Sequence, residues 1–170
     1  IGIALIAKEL GIKTVIVIPD TQSKEKKDTL RQLGAELIEV PAVPYENPNN
    51  YVKYAKKVAD DIGGYWGNQF DNTINQLAHI ETTAEEIWTQ TNEEVDGFVC
   101  ASGTGGTISG VSIGLKSKNK NIKIAVSDPF GSALYSHFKT GKLMMSGSSI
   151  TEGIGTSRIT KNYEGALIDE

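Results

Sequence analysis

Val95 to Leu115, reading VDGFVCASGTGGTISGVSIGL, is the stretch that decides the fold. Val95 to Cys100 is short and Val-rich, the pattern of a buried strand. Gly103, Thr104, Gly105, Gly106 and Thr107 follow directly, too glycine-rich for either regular element. Ile108, Val111 and Leu115 then recur at helical spacing. A strand, a glycine loop and a helix in that order form one corner of a layered α/β sheet, and ligands bind beyond the carboxyl ends of such strands. The helix start offers unpaired N–H groups and the positive end of its dipole. Glycines let that backbone approach an anion closely, and the hydroxyls of Thr104 and Thr107 add donors.

The same alternation extends in both directions. Gly2 to Ala7 read as the interior of a helix without a capping residue in front, so the chain is expected to begin within an element. Thr14 to Ile18 are β-branched between Gly11 and Pro19, which predicts a strand buried on both faces and hence a parallel sheet. Ser23 can cap a helix ending at Leu33 and Gly34, and Leu37, Ile38 and Val40 predict the next strand. Lys24, Lys26, Lys27 and Arg31 on that helix read as a solvated face. After the Pro- and Asn-rich loop at 41–50, Tyr51, Ala55, Val58 and Ile62 predict a helix closed by Gly63 and Gly64. Tyr65, Trp66 and Phe70 suggest a strand, and Asp71 or Asn72 can cap a helix whose apolar face is Ile74, Leu77, Ile80, Ala84 and Ile87. Ile122 to Val126 predict a further strand, and Ala166 to Asp169 the beginning of another. The expected fold class is α/β, an open, mostly parallel sheet layered with helices joined by right-handed crossovers.

Composition narrows the function classes. A net charge of −4 and a pI near 5.3 supply no broad basic field, so nucleic acid is not an expected partner. No apolar run reaches the roughly 20 residues of a membrane span, so this stretch is expected to be soluble. Cys100 stands alone, as a buried thiol would, and fits a reducing compartment. His79 and His137 have no Cys, Asp or Glu at metal-ligand spacing and read as packing residues.

The anion expected at the glycine loop is narrowed by absences. A nucleoside-triphosphate loop needs GxxxxGK[ST], yet no basic residue occurs from Ala101 to Leu115. The dinucleotide pattern GxGxxG fails because Ile108 stands where its third glycine belongs. A terminal phosphomonoester is the better ligand.

Four segments together resemble the cysteine synthase and cystathionine β-synthase family. They are Pro19 to Gly34 continued by Ala35; Gly67-Asn68-Gln69-Phe70 followed by Asn72 and Asn75; Gly103 to Thr107; and Glu152-Gly153-Ile154-Gly155. The resemblance spans essentially all 170 residues. It implies a pyridoxal 5'-phosphate enzyme with a small mobile α/β domain, here residues 1–76, and part of a large cofactor-binding domain, here 77–170. It further implies that Gly103, Thr104, Gly105, Gly106 and Thr107 hold the cofactor phosphate. Gly153 would lie against the cofactor, and Gln69 would help hold the substrate α-carboxylate. The activity implied is β-replacement: an amino acid such as O-acetylserine or serine loses its β-substituent, and sulfide or a thiol takes its place. A homodimer is implied as well.

Departures from the family pattern carry equal weight. The family's cofactor-linked lysine lies in a segment resembling SxKDR, which neither Lys8 nor Lys13 matches, so that lysine is expected upstream of Ile1 and the 170 residues alone are expected to be inactive. After the GIG the family commonly continues with Gly, Phe and Pro, whereas this sequence reads Thr156-Ser157-Arg158-Ile159-Thr160. Glu152 resembles the cystathionine β-synthase version of its motif. Cysteine desulfhydration, a cystathionine β-synthase-like reaction and a catalytically lapsed scaffold therefore remain as alternatives.

Overall fold

Two parallel strand pairs organise the chain. In a computed structural model describing residues 1–147 and 151–170, they belong to separate compact units, Ile1–Asn68 and Gln69–Glu170. In the first unit the β-branched run forms β1 (Val15–Pro19), which pairs with β2 (Glu36–Val40) from Val15 opposite Glu36 to Pro19 opposite Val40. The crossover is α2 (Lys24–Gln32), and α1 (Gly2–Glu9) precedes β1. Ala4, Ile18, Leu30 and Ala35 are the buried centre of this unit. Of the basic residues of α2 expected on a solvated face, Lys24 and Arg31 are exposed while the Lys27 side chain is largely covered; Lys27 and Arg31 both pair with Glu39, at 2.7 and 2.6 Å. The half-exposed Arg31 pair contributes little to stability. Asn50 caps α3 (Tyr51–Ile62) by accepting from the Val52 N–H at 3.1 Å.

Tyr65, Trp66 and Phe70 do not form the expected strand. Gly67 and Asn68 interrupt the run, Asn68 turns the chain with φ at 40°, and Gln69 to Asp71 form a turn. A left-handed residue cannot continue a pleated strand.

The second unit opens with one long helical passage, α4 (Ile74–Ala78), a π-helical turn (His79–Thr83) and α5 (Ala84–Gln90). Asn72, not Asp71, serves its start by accepting from the Ile74 N–H at 3.2 Å. Then come β3 (Gly97–Ala101), the glycine loop, α6 (Gly106–Lys118), β4 (Lys123–Ser127) and α7 (Leu134–Thr140). β3 and β4 pair in parallel, from Gly97 opposite Lys123 to Ala101 opposite Ser127. Ala166 to Asp169 are not a strand of this sheet. They run beside β4, with the Asp169 N–H donating to the Ile124 carbonyl at 2.8 Å and the Asp169 carboxylate accepting from the Ile124 N–H at 2.8 Å. A side chain thus replaces a ladder bond.

Helix α6 is the centre of this unit. Ile108, Val111, Leu115, Ile122, Ile124 and Leu134 are fully buried together around it. Its other faces are closed too, because Gly106, Gly110 and Gly114 form a stripe at every fourth residue. That stripe lets α4, the π turn and α5 come close: a Cβ on Gly106 would overlap Asn75, one on Gly110 would lie 2.5 Å from the Gln76 carbonyl and His79 Cβ, and one on Gly114 would overlap Ala84. The loop at the head of α6 is therefore held against a fixed neighbour.

Candidate functional site

β3 ends at Ala101, and the chain turns through Ser102, Gly103, Thr104 and Gly105 before α6 begins. The turn requires φ of +90° at Gly105, and the Tyr163 ring packs so near that a Cβ there would sit 2.7 Å from it. Only glycine meets both demands. The Ser109 N–H makes the first bond of α6, donating to the Gly105 carbonyl at 3.0 Å. The preceding amides of α6 have no such partner by geometry. Among the described residues, the N–H groups of Gly103, Thr104 and Gly105 donate to no protein acceptor, and the Gly106 N–H has a long 3.4 Å contact to Thr104 Oγ1.

The two threonine hydroxyls are oriented by neighbours. Thr104 Oγ1 accepts from Asn75 Nδ2 at 3.0 Å, which leaves its own proton to donate. Thr107 Oγ1 lies 3.1 Å from His79 Nε2, and His79 Nδ1 lies 2.8 Å from Thr83 Oγ1. Burial pushes the His79 imidazole below its ordinary value of 6.5, which keeps it neutral at pH 7. No acidic residue occurs in the loop. Free backbone amides, two hydroxyls and a helix dipole without an opposing carboxylate fit a phosphomonoester dianion.

The remaining site candidates converge on this loop. The Gly153 carbonyl packs directly on Gly103, leaving no room for a Cβ there, and the Gly155 N–H donates to the Ser102 carbonyl at 2.7 Å. The Gln69 carbonyl accepts from Asn75 Nδ2 at 3.0 Å. Asn75 thus links the backbone of Gln69 to the side chain of Thr104 with one amide group.

Five further residues brace the site, and the sequence offered none of them as a site residue. Thr160 Oγ1 donates to the Thr104 carbonyl at 2.6 Å. The hydroxyls of Ser102 and Tyr163 lie 2.6 Å apart in a buried pair, and burial pushes Tyr163 up to about 12. Asn162, fully buried, donates through Nδ2 to the carbonyls of Gln69 at 3.0 Å and Phe70 at 2.7 Å. His79, read from sequence as a packing residue, supports Thr107. Its spacing from the glycine loop, 28 residues, offers no local pattern that would reveal the contact. Cys100 is half-buried, and desolvation pushes its thiol up, so it stays protonated at neutral pH.

A glycine loop at the end of a parallel strand, with free amides at a helix start, is a geometry suited to a phosphate, and the loop's lack of a cationic side chain sets it apart from nucleoside-triphosphate loops. The chain belongs to the family of pyridoxal-phosphate dependent enzymes, whose pattern matches residues 1–170. It is 51% identical over 168 residues to cysteine synthase 1 of Neurospora crassa and 48% identical to cysteine synthase 1 of Emericella nidulans, covering 96% of this chain and 45% of either relative. Cystathionine beta-synthase of Rattus norvegicus is 37% identical over 171 residues, covering 99% of this chain and 30% of that protein. Among solved structures, the O-acetylserine dependent cystathionine beta-synthase from Helicobacter pylori superposes with a TM-score of 0.85 at 32% identity. That match covers 98% of this chain and 52% of the other. The chain therefore spans between 30% and 52% of the length of these relatives. No helix among the described residues is long and apolar enough to cross a membrane.

Proposed function

We propose that the full-length protein catalyses pyridoxal 5'-phosphate-dependent β-replacement in cysteine metabolism, joining an O-acetylserine- or serine-derived unit to sulfide or a thiol. The observation that carries the reading is the set of unpartnered amides at Gly103, Thr104 and Gly105 at the head of α6. The cofactor, when bound, supplies the electron sink for loss of the β-substituent. In this reading Gly103 to Thr107 hold its phosphate by N–H and hydroxyl donation, and Gly153 closes the loop's outer side. Gln69 orients the substrate α-carboxylate, so that binding energy far from the reacting carbon is spent on alignment. Residues 1–76 supply the small, mobile α/β part and 77–170 part of the cofactor domain, and the assembly is a homodimer.

Cysteine synthesis is favoured over cystathionine formation because the Neurospora and Emericella cysteine synthases are 51% and 48% identical to the chain, against 37% for the rat cystathionine beta-synthase. The test is made on the full-length protein, titrated with pyridoxal 5'-phosphate by visible absorbance and then offered O-acetylserine with sulfide or serine with a thiol amino acid. Saturable uptake and faster turnover of the first pair are expected. Cofactor uptake without turnover of either pair would instead establish the lapsed homologue, and no uptake would reject the assignment.

A further inference from the structure

The departure after Gly155 has a structural counterpart. Arg158 reaches the turn that carries Gln69, donating from Nη1 to Asp71 Oδ1 at 3.0 Å and from Nη2 to Asp71 Oδ2 at 2.8 Å. Both side chains are about four-fifths buried, and the guanidinium lies 5.7 Å from the centroid of the Phe70 ring. Asp71 Oδ1 also accepts from the Lys161 N–H at 3.0 Å. One turn further on, Asn162 donates to the Gln69 and Phe70 carbonyls and accepts from the Gln76 N–H at 3.2 Å. Gln76 Nε2 returns bonds to the carbonyls of Asn162 at 3.1 Å and Glu164 at 2.7 Å.

The segment 158–164 therefore grips three successive residues, Gln69, Phe70 and Asp71, from one side, while its own Thr160 holds the phosphate loop through the Thr104 carbonyl. The Gln69 backbone is fixed from two directions, by Asn75 and by Asn162. The Gln69 side chain has no such anchor among the described residues, so its direction follows from the turn. A bidentate guanidinium–carboxylate pair fixes orientation as well as distance, which a single ammonium does not.

We propose that Arg158 is a positioning residue for the amino-acid substrate: its paired bonds to Asp71 set the turn that aims Gln69, and thereby the affinity for the substrate α-carboxylate. This rests on the assignment of Gln69 to that carboxylate. Phe and Pro, which the family commonly carries after its GIG, cannot make this pair, so the device belongs to the sequence version that reads Thr156-Ser157-Arg158.

The test uses full-length protein loaded with cofactor and four variants: Gln69→Ala, Arg158→Met, Arg158→Lys and the double variant Gln69→Ala with Arg158→Met. Arg158→Met is expected to raise KM for the amino acid about tenfold with cofactor affinity by absorbance titration changed less than about twofold, since misaligned binding groups lose orientation first. Arg158→Lys, which keeps the charge and loses the fork, falls between. In the Gln69→Ala background the same change should leave KM where Gln69→Ala alone puts it. An equal further rise there would overturn the proposal, because a general structural role adds independently. If Gln69→Ala raises KM while neither Arg158 variant does, the positioning role alone falls. If Gln69→Ala leaves KM unchanged, the carboxylate assignment falls and takes the positioning role with it. Should Arg158→Met fail to fold, Asp71→Asn replaces it in every arm.

Discussion

His79 Nε2 stands 3.1 Å from Thr107 Oγ1, joining the π-helical turn to the first turn of α6. A π turn widens a helix by one residue and re-aims its side chains, and such turns recur at functional sites. Here it places the imidazole between two threonine hydroxyls. His79→Ala is expected to weaken cofactor affinity about tenfold, the worth of one hydrogen bond in an organised site. His79→Gln, which can still reach Thr107, should recover part of that loss. Absorbance titration of the full-length protein at pH 7.5 reads both. Because burial lowers the His79 value, the imidazole is already neutral there, and the effect should be flat above pH 6.5.

Asp71 predicts an acid limb of stability. The hydrogen bonds from Arg158 hold its carboxyl below the ordinary value of 3.8, with the Lys161 N–H adding to the effect against the opposing cost of burial. The unfolded chain then binds the proton more readily than the native one, so stability rises with pH across that interval. Its contribution is complete above about pH 4 and is lost as pH falls through the lowered native value. Denaturant midpoints of full-length protein and Asp71→Asn, compared at pH 7 and pH 3, should differ most at pH 7. A gap of the same size at both values would assign the loss to packing instead.

The sequence made the alternating elements legible because each carries its own pattern: a β-branched run for β1, short apolar runs for β2 to β4, and a helical stripe for α3 and for Ile74 to Ile87. It also made the loop legible as a feature of the fold, since Gly103 to Thr107 lie together, and the role proposed for them is a backbone property. What it could not reveal is what depends on distance along the chain. Asp71 and Arg158 are 87 residues apart, and nothing local distinguishes Asp71 from an ordinary helix cap. The strand expected at Tyr65 to Phe70 failed for the converse reason, because aromatic content outweighed the turn that Gly67 and Asn68 impose. The glycine stripe of α6 was legible in principle, as Gly106, Gly110 and Gly114 are spaced by four. It is visible as a packing device only once the facing helix is known.

That stripe yields a packing prediction. At Gly110 an added methyl meets the Gln76 carbonyl and His79 Cβ, both 2.5 Å away and neither able to swing aside. Gly110→Ala should therefore destabilise by about 1–3 kcal/mol, the usual cost of overpacking. Gly2→Ala serves as the contrast, since nothing lies within 4 Å and the residue is in α1. There the change should be neutral or stabilising by up to about 1 kcal/mol. Urea midpoints at constant m-value would report both, and a tolerated Gly110→Ala would contradict the close approach of the two helices.

The buried hydroxyl pair of Ser102 and Tyr163 yields the last. Each is the other's partner at 2.6 Å, and both residues are almost inaccessible to water. Tyr163→Phe keeps the ring that packs on Gly105 but strands the Ser102 hydroxyl, a loss expected to cost about 1–3 kcal/mol. Ser102→Ala strands the Tyr163 hydroxyl in the same way. With both removed, neither group remains unsatisfied, so the double variant should be more stable than the sum of the single losses predicts. Tyr163 also sets an alkaline limit. Burial lifts its value from 10.0 to about 12, so its contribution is whole below pH 10 and disappears as pH climbs through 12. Tyr163→Phe should remove that part of the alkaline unfolding transition, leaving the transition of Ser102→Ala in place. If the two single variants shift it alike, the buried ring hydroxyl is not its source.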